Sequence, residues 1–113
     1  MRNAGMPGAG EAGAYRGPVT RRSDVDQPPA AYLVSGEWPE GTVEGPAAAA
    51  YARQLALNLH EAMGERSLRE LGREAGVHHT TIRAILMGER WADLVTIAKL
   101  EQALEVRLWP DLV

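Results

Sequence analysis

The stretch Ser67–Gly88, SLRELGREAGVHHTTIRAILMG, decides the fold of this chain. It holds two apolar sets at the spacing of one helix face, one on each side of Gly76. Gly76 stands where the first helix must stop with a residue at positive φ, which glycine tolerates best. The stretch therefore predicts two short helices joined by a tight turn. Their apolar positions are Leu68, Leu71 and Ala75 before the turn and Ile82, Ile85 and Leu86 after it.

Two details fix the start and the packing of the first of these helices. Ser67 and Glu70 have the spacing of a capping box, in which each side chain accepts the backbone N–H of the other residue. Gly72 lies one turn before Gly76, where a Cβ would crowd a second helix crossing nearby. Both details predict a helix that begins after Ser67 and is crossed closely by its neighbour.

Two further helices flank this pair. Pro46 opens the first at a position where its missing N–H costs nothing, and Gly64 ends it. Asp93 caps the last, LVTIAKLEQAL. Four or five helices around one small core make an all-α domain. The expected inward positions are Ala48, Tyr51, Ala52, Leu55, Leu59, Ala62 and Met63 in the first helix and Leu94, Ile97, Leu100, Glu101 and Leu104 in the last.

The chain before Pro46 has a different composition. Residues 1–30 are rich in Gly, Pro, Ala and Arg and hold few aliphatic side chains. Because such a segment buries too little apolar surface to offset its ordering entropy, we predict a disordered tail there. Residues 31–45 are expected to form an extended arm, and residues 46–113 the helical domain. The arm and the alternating segment 106–109 are candidates for a short two-stranded β element.

Composition excludes several classes of protein. The 113 residues allow one domain with a tail, and the absence of cysteine excludes disulfides and thiolate zinc sites. No apolar run reaches the roughly 18 residues that a membrane span needs, and the N-terminus lacks the pattern of a signal peptide. We therefore expect a cytoplasmic protein. No nucleophile–base pair or phosphate-binding loop stands out, so we expect no enzyme and no cofactor.

Charge is distributed unevenly. The net charge is −3, which by itself disfavours a polyanionic partner. Between Arg66 and Arg90, however, the chain holds five Arg and three Glu, whereas the first 45 residues hold four Arg and six acidic residues. The positive excess therefore lies on the two-helix segment. Because this excess is small, non-specific binding to nucleic acid should be weak and salt-dependent.

The order of these features resembles the phage-repressor-like helix-turn-helix family, also called the xenobiotic-response-element type. The motif S-L-R-E-L-G-x-x-A-G-V-x-x-x-T-I-x-x-I-L-x-G is followed by D-L-x-x-I-A-x-L-x-x-A-L, and the resemblance spans residues 46–108. Three positions depart from the family pattern. Gly72 stands where Ala is common, Ala92 where Pro is frequent, and Glu105 where Gly usually ends the last helix. A Glu at positive φ there costs on the order of 1 kcal/mol.

The resemblance implies a DNA-binding role in which the helix 79–87 enters the major groove of double-stranded DNA. In that geometry Arg83 suits guanine O6 and N7, and Thr80 suits a thymine methyl group. In the alternative, Arg83 holds only a phosphate and the histidines are ordinary solvated side chains. Candidate base contacts are His78, His79, Thr80, Arg83, Ala84 and Met87. Candidate phosphate contacts are Ser67, Arg69, Thr81 and Arg90.

Three alternatives qualify the functional hypothesis. His78 and His79 are adjacent, so they do not share a helix face, and we expect no metal site. Trp91 and Trp109 either cover the core edge or contribute to a homodimer that reads two half-sites. The favoured function is a sequence-specific transcriptional regulator with no small-molecule ligand. The rival is a protein-interaction adaptor or antitoxin-like partner, which the acidic net charge favours slightly.

Overall fold

The computed structural model describes residues 26–112 of the chain. The bulk of the predicted tail, residues 1–25, lies outside the described residues. Within the described range the fold is helical with one short β element, as the sequence predicts. The elements are a 3-10 helix Pro29–Tyr32, strands β1 (Leu33–Ser35) and β2 (Thr42–Val43), and helices α1 (Ala47–Met63), α2 (Leu68–Ala75), α3 (His79–Leu86) and α4 (Leu94–Leu104).

The four helices share one hydrophobic core. Leu59, Leu71 and Ile82 are fully buried at its centre. Removing such a side chain from water stabilises the fold by about 1.5–3 kcal/mol. The core cluster consists of Leu55, Leu59 and Met63 from α1, Leu71 from α2, Ile82 and Ile85 from α3, Ile97, Leu100 and Leu104 from α4, and Leu108 beyond it.

The predicted inward stripes of α1 and α4 need correction at their first turns. Ala49 and Ala56 are fully buried in α1, whereas the expected Ala48 is partly exposed. Leu94 is 73% exposed, so the expectation that it faces the core is wrong. Leu94 is the first residue of α4, directly after the Asp93 cap, and the helix contributes to the core only from Ile97 onward.

The turn between α2 and α3 has the predicted local chemistry. Both bonds of the capping box form, with Ser67 Oγ accepting the Glu70 N–H at 3.0 Å and Glu70 Oε1 accepting the Ser67 N–H at 2.8 Å. Gly76 ends α2 in the left-handed conformation, with φ 74° and ψ 34°. A Cβ on Gly72 would lie 2.6 Å from the Val77 carbonyl oxygen. The close approach that Gly72 permits is therefore to the turn that leads into α3.

The two-stranded element lies entirely within the arm. β1 pairs antiparallel with β2, with Leu33 opposite Val43 and Ser35 opposite Thr42. Gly36 adopts φ +76°, and a Cβ on Gly41 would collide with the Ser35 carbonyl oxygen, so glycines permit the tight reversal. The arm thus pairs with itself, and the candidate pairing with residues 106–109 is not formed.

Residues 106–109 are held on α4 instead. Glu105 ends α4 at φ 59° and ψ 36°, the left-handed conformation expected at this position. The Glu101 carboxylate then accepts the backbone N–H groups of Leu108 and Trp109 at 2.7 and 3.0 Å. Because one carboxylate binds two successive N–H groups, this segment lacks the alternating bond pattern of a strand.

Residues 27–44, which we call the strap, pack along the helical domain. Pro29 is fully buried, and the Trp91 indole N–H donates to the Gln27 carbonyl oxygen at 3.0 Å. The predicted boundary of the tail at Ala30 therefore falls inside a packed segment. None of the helices within residues 26–112 has both the length and the apolarity needed to cross a membrane.

Candidate nucleic-acid interface

The helix α3 has one buried face and one exposed face. Ile82 and Ile85 point into the core and are at most 4% exposed. Thr80, Arg83 and Met87 are exposed and recur at the spacing of a single helix face. This exposed face contains three of the six candidate base contacts.

The N-terminus of α3 is capped by a histidine, which sequence reasoning missed. His78 Nδ1 accepts the Thr80 N–H at 3.2 Å and lies 2.7 Å from Thr80 Oγ1. Since Nδ1 accepts, the proton of the neutral ring is on Nε2, which is therefore a donor. His78 and Thr80 thus retain an N–H donor and a methyl group, respectively, for contact with a ligand.

A basic depression of about 360 Å³ lies between α2 and α3. Arg69 and Arg73 line it from α2, and the rings of His78 and His79 stack with centroids 4.6 Å apart. Desolvation, followed by the positive charges of Arg69 and His78, lowers the pKa of His79 below its ordinary value. The positive charge of Arg69 and Arg73 therefore lies beside a histidine whose neutral form is favoured.

Most of the arginines around α3 form no direct ion pair with a carboxylate within residues 26–112. The ion pair Arg66–Glu74, at 3.1 Å, is the single one there, and Glu70 is engaged by the Ser67 N–H. The positive charge of the remaining arginines is available to an external anion. These arginines are Arg69, Arg73, Arg83 and Arg90.

The candidate phosphate contacts lie around the same surface. Ser67 caps the N-terminus of α2, where backbone N–H groups and the helix dipole favour an anion. Its hydroxyl accepts from Glu70 and retains a proton to donate. Arg90 is exposed in the loop before α4, and Thr81 is partly buried in α3. The remaining predicted base contacts, His79 and Ala84, are also partly buried.

The two tryptophans considered for a dimer cover the core edge in the single chain. Trp91 packs against Tyr32 with ring centroids 6.5 Å apart, and Trp109 packs against Tyr51 at 6.0 Å. Trp109 remains 47% exposed. His78 and His79 have no further metal-ligating neighbours, because no group of three or more potential ligands exists in the described part of the chain.

A comparison with protein-family models decides which family this geometry belongs to. The model described as Helix-turn-helix matches residues 61–108. This segment is a helix-turn-helix domain. The match confirms the family predicted from the motif, and it starts inside α1, so the strap lies outside it. A search of curated proteins finds no match. Helix-turn-helix domains of this family are in general DNA-binding regulators and are not normally enzymes.

Proposed function

We propose that this protein is a sequence-specific DNA-binding transcriptional regulator that reads the major groove with α3. The observation that carries the proposal is the exposed face of α3. Arg83 is on this face and has no ion-pair partner among residues 26–112, while Ile82 and Ile85 hold the opposite face in the core. A helix fixed in this way presents a guanidinium group to a partner without losing its own packing.

The chemistry of the exposed face suits base edges. The major groove is wide enough for an α-helix, and an arginine there donates two parallel hydrogen bonds to guanine O6 and N7. The Thr80 methyl group suits the thymine methyl group. His78 Nε2, as a donor, suits guanine or a phosphate oxygen. Specificity in this proposal comes mainly from Arg83, with Thr80 and His78 as secondary contacts.

The surrounding cations suit the DNA backbone. Arg69 lines the depression beside α3, Ser67 caps α2, and Arg90 follows α3 in the next loop. Contacts of this kind fix the orientation of a protein on DNA but carry no sequence information themselves. We assign to these residues the role of placing α3 in the groove.

The rival function, a protein-interaction adaptor, predicts a flat apolar surface around α3. The arginines on that surface favour DNA instead. Two observations favour the adaptor: the net charge of −3, and the exposed pair Leu94 and Val95 at the start of α4, which are 73% and 64% exposed. Because this apolar pair lies on α4, it also suits a homodimer in which α3 remains open.

Titration of the isotope-labelled full chain with duplex DNA at low salt tests the proposal. Amide signals of Thr80, Arg83 and Ser67 are expected to shift progressively, while those of the buried Leu59 stay in place. Shifts confined to Leu94 and Val95, or no binding by folded protein, would favour the adaptor.

A further inference from the structure

The strap is hydrogen-bonded to the C-terminal end of α3. The Trp38 indole N–H donates to the carbonyl oxygen of Leu86, the last residue of α3, at 3.0 Å. The Ala30 backbone N–H donates to the Gly88 carbonyl oxygen at 2.8 Å. Carbonyl groups in the last turn of a helix have no partner within it. The strap therefore supplies donors where α3 needs them.

The strap also fits closely against the backbone that follows α3. Gly88 is buried and adopts φ +73°. A Cβ at this position would lie 2.6 Å from the Trp38 ring and 2.8 Å from Ala30 Cβ. Trp38 and Ala30 therefore pack directly against the backbone that follows α3, with no room between them even for a methyl group.

The strap is anchored on α1 as well. Arg53 Nη1, on α1, donates to the Pro39 carbonyl oxygen at 2.9 Å. Trp38 thus lies between a bond to α1 on one side and a bond to α3 on the other. Within the described residues, the hydrophobic core that unites the four helices includes no residue of the strap. The strap therefore contacts both α1 and α3 without being part of this core.

The geometry points to Trp38 as a positioning residue for DNA reading, acting through the last turn of α3. Trp38 lines a cavity of about 440 Å³ together with Arg83 and Met87, which lie on the exposed face of α3. Through its bond to Leu86, Trp38 fixes the half of α3 that carries Arg83. This inference rests on the proposed function, in which α3 reads DNA, and it assigns a role to a segment outside the helix-turn-helix match.

The first variant is Trp38→Phe, which removes the indole N–H and keeps an aromatic ring. We expect about two- to tenfold weaker binding to a selected DNA site, the effect of losing one net hydrogen bond, with binding to unrelated DNA unchanged. The matched control is Trp109→Phe, because the Trp109 indole N–H makes no hydrogen bond in the described part of the chain. This control is expected to bind like the unaltered protein.

A double-mutant cycle with Arg83→Ala separates positioning from a general loss of stability. If Trp38 acts by placing Arg83, Trp38→Phe relaxes the base preference in the unaltered background and adds nothing in the Arg83→Ala background. Additive effects on base preference would show that Trp38 acts elsewhere. Retention of both site affinity and base preference by folded Trp38→Phe would overturn the inference.

Hydrogen exchange without DNA makes the test independent of the proposed function. The Met87 and Gly88 amides donate to carbonyl oxygens of α3. Trp38→Phe is expected to speed the exchange of these two amides several-fold relative to Trp109→Phe, while the core amide of Leu71 exchanges as before. Unchanged exchange at Met87 and Gly88 would overturn the inference. If Trp38→Phe speeds the exchange of these amides but the unaltered protein binds no DNA, the proposed function is wrong. The conclusion that Trp38 holds the last turn of α3 is then still supported.

Discussion

At the scale of single residues, the proposed DNA recognition depends on the exposed face of α3, and stability depends on the turn before it. Arg83 is exposed, although the adjacent residue Ile82 is fully buried in the core. A substitution at Arg83 therefore changes the surface, whereas one at Ile82 changes the core. This separation allows DNA recognition and stability to be tested independently.

Arg83→Ala should lower affinity for a specific DNA site by about 1–3 kcal/mol and relax the preference at one base pair, as expected when a bidentate guanine contact is lost. Fluorescence anisotropy with a set of single-base-pair variants of the site measures both effects. Arg90→Ala is the matched control and should weaken binding to all sequences alike. Equal loss on all sequences for Arg83→Ala would assign it to a phosphate instead.

Gly72→Ala should destabilise the fold although alanine is the better helix former. The added Cβ would lie 2.6 Å from the Val77 carbonyl oxygen, and such overpacking costs about 1–3 kcal/mol. Gly76→Ala provides the comparison, because a Cβ there meets nothing within 4 Å and the cost is only that of positive φ, about 1 kcal/mol. Urea unfolding measures both. A stabilised Gly72→Ala protein would contradict the close approach of α2 to the turn before α3.

The scale of the elements shows which features the sequence could predict. The capping box, the left-handed Gly76 and the apolar sets of α2 and α3 depend on residues close in the chain, so their spacing is enough to predict them. The bond from Trp38 to Leu86 joins residues 48 positions apart, and no local pattern encodes it. The sequence therefore predicts an extended arm before α1 but not the contacts by which the strap is held.

The candidate site also contains features that could be predicted from the sequence and features that could not. The exposure of Thr80, Arg83 and Met87 follows from helical periodicity and could be predicted. The His78 cap could not, because histidine is an uncommon N-cap residue and its position before α3 suggested a ligand contact. The inward position of Leu94 was wrong because periodicity alone does not show where a helix leaves the core.

The capping box at the N-terminus of α2 should make the free energy of unfolding depend on pH in the acid range. The hydrogen bond from the Ser67 backbone N–H lowers the pKa of Glu70 below its ordinary value of 4.5. The folded state therefore releases this proton more readily than the unfolded state. The resulting stabilisation is complete above pH 4.5 and is lost as the pH falls through the lowered pKa of the folded state.

Glu70→Gln should flatten this acid dependence, measured by thermal unfolding between pH 6 and roughly pH 3, the range in which carboxylates titrate. Asp93, whose bond to the Thr96 N–H lowers its pKa, contributes a similar dependence that the variant retains. An unaltered pH profile would show that the Ser67–Glu70 capping box does not persist in solution. Ser67→Ala should lower stability by about 0.5–2 kcal/mol through the same cap.

At the scale of the whole molecule, the distribution of charge predicts how DNA binding depends on salt, and the shared core predicts how the protein unfolds. The net charge is −3 and the positive surface is local, so DNA must be attracted by a few arginines. Affinity for duplex DNA should therefore fall steeply between low and moderate salt, with a slope that reflects only a few phosphate contacts. Binding that is independent of salt would place the interface away from the α2–α3 surface.

The common core predicts a cooperative response to damage in α3. Ile82→Ala should lower the free energy of unfolding by about 2–5 kcal/mol through a core cavity, and unfolding should remain a single transition for all four helices. Chemical denaturation followed by circular dichroism and tryptophan fluorescence measures this. Two separate transitions would contradict a single core.

We propose above that this helix-turn-helix domain reads a particular DNA sequence through α3. Selection of bound molecules from a pool of random duplex DNA by the full folded chain tests it most directly. We expect enrichment of one motif, containing a guanine whose preference disappears when the selection is repeated with Arg83→Ala. A selected pool indistinguishable from the input, or a motif that Arg83→Ala leaves intact, would contradict it.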